Sequence, residues 1–95
     1  MSLEKTLAVL RKLTPFLKER FGVESLGVFG SVARDEASRN SDVDIVVKMP
    51  PDLYAMVYIK EYLEDALNAH VDLVRYRITM NALLKKRIER DAMYV

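Results

Sequence analysis

Asp42 and Asp44 flank Val43 at the start of the run Asp42-Val43-Asp44-Ile45-Val46-Val47, so in an extended strand both carboxylates project from the same face. Two anions side by side repel each other unless a cation lies between them. Magnesium suits that role, because it takes hard oxygen ligands and is usually held by one or two carboxylates together with substrate phosphates. On its own, an Asp-x-Asp pair at a strand start could equally be solvated or cap a turn. Gly30-Ser31 changes its meaning. The pair follows the apolar run Leu26-Gly27-Val28-Phe29 and leads into a short helix over 32–37. Such a turn offers backbone amides, a hydroxyl and the positive end of a helix to a phosphate chain. A third carboxylate, Asp72, stands in Val71-Asp72-Leu73-Val74. If the strands pair in the required register it faces the same groove, to hold a second metal or accept a nucleophile's proton. Phosphoryl and nucleotidyl transfer need mainly positioning and charge neutralisation, which this set of groups can supply.

Other polar residues fit less directly. Arg34 either neutralises phosphate or pairs with Asp35, Glu36 or another carboxylate to hold its loop. His70, the single histidine, has no histidine partner and reads as a loop or helix-end residue rather than a metal ligand. Tyr54, Tyr58 and Tyr62 recur every four residues, opposite the apolar stripe of their helix. They form a partner interface, cover a neighbouring loop, or pack on the chain's tail.

The elements that must position these groups follow from apolar periodicity. Leu3, Leu7, Leu10, Leu13 and Leu17 predict an amphipathic helix, with a kink or restart at Pro15, Thr14 as cap and Gly22 as terminator. Alternation and β-branching predict strands at 26–29, 42–47 and 71–74, with Pro50-Pro51 ending the second. A helix over 52–69 carries Leu53, Met56, Ile59, Leu63 and Leu67 as its core stripe. A last helix over 81–90 turns Leu84 and Ile88 inward and leaves Lys85, Lys86 and Arg87 mostly solvated, and 91–95 is unassigned. Helices and short strands thus alternate through one unit spanning 1–95.

Composition bounds the partners. Fifteen Lys and Arg against fourteen Asp and Glu give a net charge of +1, too balanced to mark a surface for nucleic acid or anionic membrane. With no cysteine, disulfides and thiolate chemistry are excluded, in keeping with a reducing cytoplasm. We expect a cytoplasmic protein, since neither a leader nor an apolar run of bilayer length is evident.

Gly30-Ser31-Val32-Ala33-Arg34, the acidic Glu36 and Ser41-Asp42-Val43-Asp44-Ile45 together resemble the signature of the DNA polymerase beta nucleotidyltransferase superfamily in its minimal, stand-alone form. The likeness runs along nearly the whole chain, and Val71-Asp72-Leu73-Val74 is similar to the family's third-carboxylate strand. It implies an α+β, two-layer nucleotidyltransferase fold, a small mixed sheet with helices packed on it. It further implies that Gly30 and Ser31 bind the triphosphate, with Arg34 as a further candidate, and that Asp42, Asp44 and Asp72 form a catalytic, metal-binding triad for Mg2+ or Mn2+. Asp35 departs from the pattern, since many members carry glycine after the arginine. Minimal members resemble the MntA-type antitoxins of HEPN/MNT toxin–antitoxin pairs, which implies transfer of AMP from ATP to a tyrosine of a HEPN-family ribonuclease and a complex with that toxin. With no second domain evident to hold an acceptor, a protein partner that brings its own surface fits. A non-catalytic antitoxin, or transfer to a small molecule or an RNA end, are the alternatives.

Overall fold

Ser2 caps the first helix, accepting a hydrogen bond from the Lys5 amide at 3.2 Å. The computed structural model describes residues 2–38 and 41–95. Helix α1 (Leu3–Phe21) buries Leu7, Leu10 and Leu17, and Gly22 ends it in the left-handed conformation at φ 70°, its amide on the Lys18 carbonyl. Of the kink or restart expected at Pro15, the restart does not occur. Pro15 lies on the exposed side of an unbroken α1, where water can satisfy a carbonyl left without its donor. Thr14 is not a cap either: its buried hydroxyl donates to the Leu10 carbonyl at 2.6 Å.

The remaining elements are β1 (Ser25–Phe29), α2 (Gly30–Ala33), β2 (Val43–Lys48), α3 (Leu53–Leu67), β3 (Val71–Arg75), α4 (Ala82–Asp91) and β4 (Met93–Tyr94). The sheet order is β3-β2-β1-β4, with β2 and β3 parallel and the other pairs antiparallel, so the sheet is mixed. Alternation along β2 divides the core between its faces. Val43, Ile45 and Val47 pack with Leu10, Leu17, Ile59 and Leu63 of α1 and α3. Val46 joins Phe29, Met80 and Ile88 in a smaller cluster under α4 on the opposite face. The site is built on that second face.

Two further expectations need revision. Leu53 is 77% exposed, and the α3 stripe runs instead through Ala55, Ile59, Leu63 and Leu67, with Met56 half-buried. Asp52 caps α3 through the Ala55 amide, so Leu53 opens the first turn before the helix settles onto the sheet. Tyr58 and Tyr62 pack on neither a loop nor the tail: Tyr62 stacks on Phe16 at 5.3 Å between ring centroids, and Tyr58 lies 5.1 Å from Phe21, joining α3 to α1. Only Tyr54, 89% exposed, stands clear. The tail is a strand, because β4 pairs with β1 over Gly27, where a Cβ would come within 2.9 Å of the Tyr94 ring. Among the described residues no helix is long and apolar enough to cross a membrane.

Candidate active site

The parallel pairing of β2 with β3 sets Asp44 directly against Asp72. Paired residues on adjacent strands point to the same face, so the two carboxylates are neighbours. Both share the face of Val46, where α4 packs. Asp42 is exposed just before β2, two residues from Asp44. The register that the sequence leaves open is therefore the one that gathers these three residues at one end of the sheet.

Gly30 lies across from them. Phe29 pairs with Asp44 in the antiparallel β1–β2 ladder, and the chain turns at once into Gly30 with φ 74°. A Cβ at Gly30 would overlap the Asp44 carboxylate, with the Asp44 Cγ at 3.1 Å. Glycine thus serves twice, taking a left-handed backbone and letting that backbone approach the acid. The following helix is shorter than expected: α2 covers Gly30–Ala33, not 32–37. One turn has little macrodipole. What the turn presents is therefore chiefly its first-turn amides, which have no intrahelical acceptor, and the half-buried Ser31. Asp35, the departure from the family pattern, sits at φ 58°, a left-handed conformation that glycine would adopt readily and that aspartate tolerates.

Arg34 takes the loop-holding alternative. Its Nε donates to Glu36 Oε2 at 3.1 Å and its Nη1 to Asp91 Oδ2 at 2.6 Å. Asp91, at the end of α4, also accepts two hydrogen bonds from Arg90, at 2.8 and 2.9 Å. Arg90 first, and Arg34 with it, hold the Asp91 carboxyl down to about 2 against the opposing effect of burial. A folded value below the unfolded one means that this contribution to stability is complete above the ordinary 3.8 and disappears as the pH falls through about 2. Asp91→Asn should lower the melting temperature by a few degrees near neutrality. It should also shrink the drop between melts at about pH 5 and about pH 2. An unchanged acid response would remove Asp91 from the tie between α4 and the loop after α2.

The carboxylate cluster has the opposite character. Burial and then Asp72 push the Asp44 carboxyl above its ordinary value, with Asp42 adding to the rise while Arg87 and Arg34 oppose it. Arg87 is the residue that sequence reasoning missed. Its Nη2 stands 3.9 Å from Asp44 Oδ2, and its guanidinium lies 5.9 Å from the centre of the Phe29 ring. His70 is exposed near Glu64 and joins no acidic group of the site.

Among the described residues, no three acidic or imidazole side chains converge closely enough to enclose a metal ion. The donor set still fits one. Crowded carboxylate oxygens, one of them kept from ionising easily by burial and then by Asp72, suit a hard divalent cation whose remaining ligands would come from phosphate and water.

The described geometry has close counterparts. Residues 10–95 match the family model of the nucleotidyltransferase domain. The protein adenylyltransferase MntA of Thermococcus cleftensis is 39% identical over 97 residues, covering 100% of this chain and 97% of its own length. A solved structure provisionally described as a minimal nucleotidyltransferase superposes with a TM-score of 0.77 at 36% identity, over 98% of this chain and 95% of that one. A crystal structure of a toxin–antitoxin with AMP-PNP contains a chain that aligns with a TM-score of 0.69 at 26% identity, over 99% of this chain and 72% of that one.

Proposed function

The chain belongs to the nucleotidyltransferase domain family, and on that premise we propose that it is an antitoxin that transfers AMP from ATP to a tyrosine of a HEPN-family toxin ribonuclease. The observation that carries the catalytic part is the register of Asp44 against Asp72 beside the Gly30 turn. The acceptor is supported by the adenylyltransferase name of the Thermococcus relative, by the toxin–antitoxin structure with an ATP analogue, and by the sequence resemblance to HEPN/MNT antitoxins.

In this reading Gly30 and Ser31 hold the triphosphate by backbone amide and hydroxyl, while Asp42, Asp44 and Asp72 hold Mg2+ or Mn2+. A divalent cation bound there supplies charge neutralisation for the triphosphate and its leaving group. The tyrosine oxygen forms a bond to the α-phosphorus, the bond from that phosphorus to the bridging oxygen of the β-phosphate breaks, and pyrophosphate leaves with the electron pair. Asp72, the most exposed strand carboxylate, takes the phenolic proton. Arg34 acts by fixing the loop through Glu36 and Asp91. The reaction takes place in the cytoplasm, as a complex with the toxin.

Incubation with α-labelled ATP, magnesium and a HEPN toxin should transfer label to the toxin. Asp42→Asn combined with Asp44→Asn should abolish it. Labelling that persists in the double variant would sink the catalytic assignment. Protection of cells by that variant, with the toxin unmodified by mass spectrometry, would instead identify an antitoxin that acts by binding.

A further inference from the structure

A triphosphate approaching this site meets three carboxylates, and anion against anion must be offset by fixed positive charge as well as by a cation. Arg34 is already committed to Glu36 and Asp91. Arg87 is placed differently. Its ion pair with Asp44 is long at 3.9 Å, beyond hydrogen-bond distance, and half of its side chain is exposed. The guanidinium lies 5.9 Å from the centre of the Phe29 ring, and Phe29 immediately precedes Gly30, so Arg87 stands beside Asp44 and close to the start of the Gly30–Ser31 turn. The next residue, Ile88, is 1% exposed in the cluster with Phe29 and Val46, so the backbone carrying Arg87 is anchored while its side chain is not.

From this we propose that Arg87 binds the β- and γ-phosphates of the nucleotide, and that in the nucleotide-free protein it serves as a loose counter-ion for Asp44. The inference rests on the nucleotidyl-transfer reading and adds to it the residue that receives the departing pyrophosphate. A guanidinium offers phosphate oxygens paired, short, charge-assisted hydrogen bonds, which the 3.9 Å contact with Asp44 lacks. The exchange therefore gives up little. It would also make metal and nucleotide cooperative, because an Asp44 that holds a cation no longer needs Arg87 as its counter-ion and leaves the guanidinium free for the phosphates.

Two binding measurements test this without relying on turnover. The first titrates α,β-methylene ATP with magnesium, an analogue that cannot release pyrophosphate. The second titrates Mn2+ alone, followed by its effect on water proton relaxation. Arg87→Ala should weaken analogue binding roughly tenfold or more, and Arg87→Lys should fall between the variant and the parent protein. In the absence of nucleotide, Arg87→Ala should bind Mn2+ at least as tightly as the parent, because a competing positive charge is gone. Opposite responses of the two ligands are the signature of a phosphate ligand. Analogue affinity within about twofold of the parent in both variants would overturn the assignment. A parallel loss of Mn2+ and analogue binding would overturn it as well, by showing that Arg87 merely supports the site. Failure of the parent protein to bind the analogue at all would count against the nucleotidyl-transfer reading itself.

Discussion

Asp44→Asn is expected to lower nucleotidyl transfer by a factor of about a thousand or more while raising the melting temperature of the nucleotide-free protein by several degrees. The two effects share a cause. Asp44 is half-buried on β2, with Asp72 opposite it in register and Asp42 two residues away. Burial and these neighbours push its carboxyl upward, so the ionised form works against the fold. An amide keeps the shape and removes the charge, which relieves a like-charge contact of up to about 1 kcal/mol across adjacent strands. The same amide is a poor ligand for a hard cation. The pH dependence has a definite sign. A folded value above the unfolded one makes stability fall as the pH rises through the interval between them, and Asp44→Asn should lack that fall. The interval lies above 3.8, apart from the one governed by Asp91, which runs downward from 3.8 to about 2. Melting curves without divalent cation, together with a labelled-ATP assay, check both halves. A variant that loses activity and stability together would mean that Asp44 supports the fold rather than straining it for the sake of the site.

The parts of the site carried by local pattern were legible in the sequence. Strand alternation predicts Asp42 and Asp44 on one face, and although Asp42 falls just before β2 its charge is felt by Asp44, while Gly30 marks a turn because a positive φ favours glycine. What the sequence could not supply is pairing. Whether Asp72 meets Asp44 depends on β2 and β3 running parallel in one register, and a shift by one residue would turn Asp72 to the other face. Arg87 was obscured for a related reason. Leu84 and Ile88 define the inward stripe of α4, and Arg87 flanks that stripe, but only the placement of α4 over Phe29 and Val46 brings its guanidinium to an acid. In sequence it reads as one of three consecutive basic residues on a wet surface. β4 was invisible because two residues are too few for a period, and its partner Gly27 has no side chain to announce it. The restart expected at Pro15 does not occur, because the rule behind it holds when the carbonyl left without a donor is buried and relaxes when it faces water.

Gly30→Ala is expected to reduce transfer by about a hundredfold or more, with a stability loss of only about 1–2 kcal/mol. The stability cost comes from the backbone, since φ 74° is unfavourable for any residue with a Cβ. The overlap itself adds less, because the atom that the new methyl would strike is the outer oxygen of Asp44, which can rotate away. That rotation is the source of the catalytic damage. A carboxylate turned from its place beside Asp72 would no longer present its oxygen where, in the proposed reaction, metal and phosphate would meet. Gly22 provides the matching control. It has nearly the same φ, 70°, but an added Cβ there would meet only Pro50 carbons at 3.8 and 4.0 Å. Gly22→Ala should therefore cost a similar amount of stability and leave transfer within about twofold of the parent protein. Measured side by side, the pair separates conformational freedom from close approach. Equal activity in the two variants would show that Gly30 is needed for its backbone angle alone, and that nothing about Asp44 depends on the space a hydrogen leaves.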